Sequence, residues 1–195
     1  MPAEGQDYLS ASIESIDGVR RSLGFDEWDV LGYSSGSRIA EAYVQAKAAH
    51  VYRAIFLSPL RVSAYKVHGL QLAFRLEPST PALSNWILSS WRLKFLISWL
   101  GFNLRPDPLA DEWYAEIGAA PVRVLKETIW AMMPVAAKPF SVPVPFVMIW
   151  GDRDIVSVMP RKRSARDYFV HGQHAAPVQA AEEVARTILS LYKDV

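Results

Sequence analysis

The chain has 195 residues, 51% of them apolar and 21% charged, a balance that excludes disordered and fibrous architectures and allows one core-forming domain. Its 21 Lys and Arg against 20 Asp and Glu leave a net charge of +1, so it lacks the long-range field of a non-specific nucleic-acid binder. With no cysteine there is no disulfide, thiolate metal site or Cys nucleophile, and the polar start Met1-Pro-Ala-Glu-Gly-Gln-Asp7 lacks signal-peptide order, which predicts a cytoplasmic protein.

Leu9, Ile13, Ile16, Val19 and Leu23 recur at steps of three and four, predicting a helix closed by a C-terminal glycine at Gly24. Trp28-Asp-Val-Leu31 reads as a short strand ending at Gly32. A helix from Ser35 to Lys47 follows, with Ile39, Ala42, Tyr43 and Ala46 on one face, and then a strand from Tyr52 to Leu57. Strand, helix and strand in about 30 residues make a βαβ unit, so the sheet should be parallel. From 60 to 141 the character changes. Trp86, Trp91, Trp99, Trp113 and Trp130 fall here, and Trp86–Leu100 reads as a mostly apolar helix that Arg92 and Lys94 keep from being a membrane span. This stretch is expected to be a helical insertion over the sheet. Val144–Trp150 resumes the pattern as a buried strand. A helical stretch from Arg161, a strand Tyr168–Val170 and a last helix opening near Pro177, with Val184, Ile188, Leu189 and Tyr192, complete the chain.

Gly32-Tyr33-Ser34-Ser35-Gly36 is a G-x-S-x-G placed between a strand and a helix. Such a reversal strains the serine backbone, requires glycine on either side, and lifts the Ser34 hydroxyl above the strand's carboxyl end. The following helix starts there, so its N-terminus and the Ser35 N–H face a reacting oxygen. A serine hydroxyl needs an adjacent base held by a third group. Asp152 and Asp154 follow one predicted strand and His171 and His174 the next, all at the carboxyl ends where open α/β sheets bind ligands. His50 and His68 lie elsewhere and read as structural or solvated.

On these motifs the chain resembles the α/β-hydrolase family. Gly32–Gly36 matches its nucleophile elbow, and Gly151-Asp-Arg-Asp154 is similar to its acid loop, which implies Asp154 as the acid and a turn-capping or solvated role for Asp152. Gln173-His174-Ala-Ala-Pro-Val-Gln-Ala-Ala-Glu-Glu-Val184 looks like the histidine loop and selects His174 over His171. The resemblance implies a core from 1–59 and 142–195, a helical cap from 60–141, and a Ser34–His174–Asp154 triad with Ser35 in the oxyanion hole. It departs in Ser37 and Gln173, which stand where glycine is usual. The core is also short at its N-terminus: the family's first strands and His-Gly oxyanion loop have no counterpart before the elbow helix. The Trp28–Leu31 strand is then an exposed sheet edge, open to pairing with a second copy.

The implied activity is cleavage of a carboxylic ester, or a related acyl bond, of a small apolar or aromatic substrate. The elbow serine excludes the family branches that use aspartate. No glycine-rich phosphate loop or metal-ligand cluster calls for a cofactor. The alternative is a non-catalytic ligand-binding or interaction module on a shortened hydrolase scaffold.

Overall fold

The computed structural model describes residues 7–61, 138–160 and 162–192, with Pro108, Asp111, Glu112, Ala115 and Glu116 between them. Four strands, β1 (Trp28–Tyr33), β2 (Val51–Leu57), β3 (Phe146–Gly151) and β4 (Asp167–Val170), pair in that spatial order and all run parallel. In β2, Ala54 and Phe56 enter one hydrophobic cluster and Ile55 and Leu57 the other, and all four are buried. Alternate residues feeding two cores are what a sheet covered on both faces requires.

The first core joins Val30, Phe56, Ala54 and Val51 to Ala40, Tyr43 and Val44 of α2 (Gly36–Ala46), with Ile13 and Ile16 of α1 (Tyr8–Ser22) packed against it. The second joins Ile55, Leu57, Ile149 and Val170 to Ala176 of α3 (Ala176–Gln179) and Val184 of α4 (Ala181–Ser190). Register puts Tyr33, Leu57, Ile149 and Tyr168 in one row across the sheet. The loops after all four strands therefore emerge along one edge, where the site assembles. Among the described residues no helix is long and apolar enough to cross a membrane.

α1 closes as its sequence predicts. Gly24 is left-handed (φ 73°), the Phe25 N–H reaches Arg20 O at 3.2 Å and the Gly24 N–H reaches Arg21 O at 3.1 Å, the paired bonds of a Schellman cap. Its inward face is rotated from the expected one. Val19 and Leu23 are exposed, while Asp17 and Arg20 are buried. Arg20 Nε donates to Asp17 Oδ1 at 3.0 Å and Lys47 Nζ lies 3.6 Å from Asp17 Oδ2, so the buried charges neutralise one another.

Two expectations after β3 are corrected. Residues 162–166 form a bend and a turn rather than a helix, because the Ser164 N–H and Oγ both donate to Asp167 Oδ2 at 2.8 Å and pull the chain into β4. The final helix is two helices, broken at Ala180 (φ −129°, ψ 43°), and Leu189 on α4 faces solvent. The expected helical insertion, including Trp86–Leu100, lies outside the described residues apart from its two ends and the five residues between 108 and 116 named above.

Candidate active site

Ser34 occupies the turn between β1 and α2 with φ 51°. A left-handed non-glycine residue costs about 1–2 kcal/mol, so the turn must be held from outside. The Ser34 N–H donates to Leu57 O at 3.1 Å, and Ser34 O accepts from the Ser37 N–H at 3.0 Å and from Ser37 Oγ at 2.5 Å. Ser37 is the residue that departs from the glycine usual in the resemblance, and its buried hydroxyl both donates and accepts: it also takes the Leu60 N–H at 3.0 Å.

The two glycines of the motif are unequal. A Cβ on Gly32 would lie 2.5 Å from Gly36 O and 2.7 Å from both Ala40 Cβ and Ser37 Cα, so only glycine lets α2 start this close to β1. A Cβ on Gly36 would meet nothing within 4 Å, and its φ is not left-handed. The expectation that both positions require glycine holds for Gly32 alone.

Across the sheet edge, His174 Nε2 lies 2.7 Å from Ser34 Oγ, and His174 Nδ1 lies 2.9 Å from Asp154 Oδ2. An ionised carboxylate only accepts, so Nδ1 carries the proton and Nε2 is left to accept the Ser34 hydroxyl. Asp154 is buried, and its other oxygen accepts the N–H groups of Val156 at 2.8 Å and Ser157 at 3.1 Å. Burial alone raises its pKa. The hydrogen bond and charge of His174, with the two backbone donors, outweigh it and hold the carboxyl below its ordinary value.

The loop that carries His174 is tied down at several points. Tyr33, the variable residue of the motif, donates its hydroxyl to His174 O at 3.0 Å; burial and the nearby Asp154 charge push this phenol above its ordinary pKa. Gly151 lies so close to Gln173 O and Gly172 O that no side chain fits there. Gln173 presents its N–H to Gln179 Oε1 at 3.0 Å, and its carbonyl accepts the Ala176 N–H at 2.9 Å. Asp152 stands outside the Ser34–His174–Asp154 series. Its Oδ1 accepts the Gly172 N–H at 3.0 Å, and its Oδ2 lies 3.3 Å from Nδ1 of the exposed His171. The backbone bond to Gly172 leads the causes that lower its pKa, ahead of the charge of His171. His50 is on the far side of the motif, against Asp26 O at 3.0 Å, and His68 lies outside the described residues.

Ser35 is the cap residue from which α2 starts, next to Ser34. Sequence reasoning missed Arg38 and Glu41, whose side chains pair at 2.7 Å beneath the turn. Their signal, two opposite charges at i and i+3 on an otherwise apolar helix, is the same as that of an ordinary surface pair.

The order of parallel strands, with a strained serine turn after one strand, an aspartate after another and a histidine after the next, defines an α/β-hydrolase fold, and solved structures agree. A meta-cleavage product hydrolase from Pseudomonas fluorescens IP01 matches with TM-score 0.68 at 16% identity, over 100% of this chain and 75% of its own. A thermophilic esterase from Thermogutta terrifontis matches with TM-score 0.68 at 17% identity, over 95% of this chain and 72% of its own. An enol-lactonase from Burkholderia xenovorans LB400 matches with TM-score 0.62 at 15% identity, over 93% and 72%. No family model matches the chain. No curated protein matches it in sequence.

Proposed function

We propose that the chain is a serine hydrolase acting on a carboxylic ester of a small apolar or aromatic substrate. The observation that carries this reading is the continuous series from Ser34 Oγ through His174 to Asp154, at 2.7 and 2.9 Å, with Ser34 on a strained turn. Ser34 Oγ attacks the acyl carbonyl carbon while His174 Nε2 takes its proton. Asp154 holds the imidazole in the required tautomer and stabilises the imidazolium. The tetrahedral intermediate collapses, the C–O bond to the alcohol breaks, and His174 returns the proton to the departing oxygen. Water then loses a proton to His174 and attacks the acyl-enzyme, releasing the acid and restoring Ser34. The Ser35 N–H, at the positive end of α2, is one donor to the oxyanion. Ester cleavage is favoured by two of the like-folded structures, an esterase and an enol-lactonase, since a lactone is a cyclic ester.

The test is turnover of short p-nitrophenyl acyl esters together with labelling by a serine-directed fluorophosphonate. The label should map to Ser34 by mass spectrometry and disappear, with turnover, in Ser34→Ala and His174→Ala. A folded chain with neither turnover nor label overturns the reading. Thermal stabilisation by the same esters without turnover is then the result expected of a ligand-binding module.

A further inference from the structure

The connection that leaves β2 is bonded to both halves of the site. Ser58, itself left-handed (φ 39°), donates its N–H to Ile149 O at 2.8 Å. The Leu60 N–H reaches Ser34 O at 3.2 Å and Ser37 Oγ at 3.0 Å, and Leu60 O accepts from Arg38 Nε at 2.8 Å. Arg61 O accepts the Val158 N–H at 2.6 Å, four residues past Asp154. Residues 57–61 therefore form a strap from the turn that carries Ser34 to the loop that carries Asp154.

Arg38 is an unusual choice for its position. Its side chain is completely buried, with Phe140 stacked 3.7 Å from the guanidinium carbon. Besides Leu60 O, it donates to Glu41 Oε2 at 2.7 Å and to Lys138 O at 2.7 Å, and Glu41 Oε1 accepts the Ser141 N–H at 2.8 Å. A buried cation is costly even when neutralised, and an apolar side chain would cover Phe140 without that cost. What an apolar residue cannot do is donate in several directions at once from a rigid plane. From this position the guanidinium reaches Leu60 O and Lys138 O as well as Glu41.

Building on the serine-hydrolase reading, we propose that Ser37 and Arg38 are positioning residues that grip the Leu60 backbone from its N–H and C=O sides, and so lock the strained Ser34 turn in the geometry that aims its hydroxyl at His174. Neither residue touches the reacting atoms. Ser37 joins Leu60 to Ser34 O directly, and Arg38 keeps Leu60 from drawing away.

Fluorophosphonate labelling followed to saturation separates the maximal rate constant (kinact) from reagent affinity (KI). It should be run on the full chain and on Ser37→Ala, Arg38→Lys and Arg38→Gln, with Tm measured for each. In folded variants kinact is expected to fall about tenfold or more, because catalysis of this kind is lost with sub-ångström misplacement. KI and the pH midpoint of labelling should stay at the wild-type values, since His174 and Asp154 keep their own bonds. Arg38→Lys should retain more rate than Arg38→Gln. Labelling of Ser37→Ala at the wild-type rate overturns the proposal even if Tm falls, because the grip is then purely structural. Should the Arg38 variants fail to fold, Ser37→Ala decides alone. No label on the wild-type chain overturns the serine-hydrolase reading itself, a result distinct from a labelled wild type with unaffected variants.

Discussion

At the scale of single residues, the site depends on a carboxylate whose burial and bonding oppose each other. Asp154 loses solvation but gains His174 and two backbone donors, and the gain wins. Its folded pKa is therefore depressed. The stability it contributes is fully present above the unfolded aspartate pKa of about 3.9 and is lost as pH falls through the lower folded value. Asp154→Asn is expected to be less stable than wild type at neutral pH, with the difference smaller in acid below the unfolded aspartate pKa of about 3.9. Urea midpoints at neutral and acid pH check this. The same substitution should lower the rate of Ser34 labelling by about 10³–10⁴, because an amide that donates to Nδ1 selects the wrong imidazole tautomer. A variant that labels at the wild-type rate would show that Asp154 plays no part in orienting His174.

At the scale of elements, the turn from β1 into α2 sets the geometry. Gly32 allows α2 to begin against the strand, whereas Gly36 is the first residue of α2, with open space at its Cβ. Gly32→Ala should cost about 1–3 kcal/mol, since backbone rather than a flexible side chain must retreat. It should also depress Ser34 labelling by more than the stability loss explains. Gly36→Ala should stay within about 0.5 kcal/mol of wild type, alanine being the better helix former. Denaturant unfolding of the pair, with labelling rates, tests the asymmetry; equal losses at both positions would contradict it. The motif reads as symmetric in the sequence because the letters do not show which glycine another element approaches.

At the scale of the whole molecule, two cores clamp the sheet, and β1 is its outer strand among the described residues. Leu31 on β1 is 48% exposed, and among the described residues no strand pairs with the outer side of β1. We propose that a second copy pairs with this edge at high concentration. Leu31→Lys should reduce it while leaving the far-ultraviolet circular dichroism and Ser34 labelling unchanged, as measured by sedimentation velocity at rising concentration. An unchanged sedimentation profile for the variant would place any self-association elsewhere. The opposite end of the chain is held to the sheet by Arg53 Nη1 on Leu191 O at 2.6 Å and by Tyr192 Oη on Asp29 Oδ2 at 2.5 Å, which joins α4 to β1 and β2.

What the sequence by itself determined was the βαβ order, the parallel sheet and the residues that could meet at its carboxyl edge. Short apolar runs, helical periodicity, Gly24 and the strand–Gly–x–Ser–x–Gly–helix order are all local signals, and local physics suffices to read them. The choice of His174 over His171, and of Asp154 over Asp152, came from the resemblance; in the structure His174 lies within hydrogen-bonding distance of both Ser34 and Asp154. Only the tertiary structure could decide the rest. Asp17 and Arg20 give α1 a charged inner face where Lys47 and Tyr43, distant in sequence, bring a further cation and a hydroxyl donor to the Asp17 carboxylate. Arg38 is a buried tie rather than a surface charge because Leu60 and Lys138, on opposite sides of a long connection, bring their carbonyls to it. Bonds between residues so far apart leave no periodic trace in the chain.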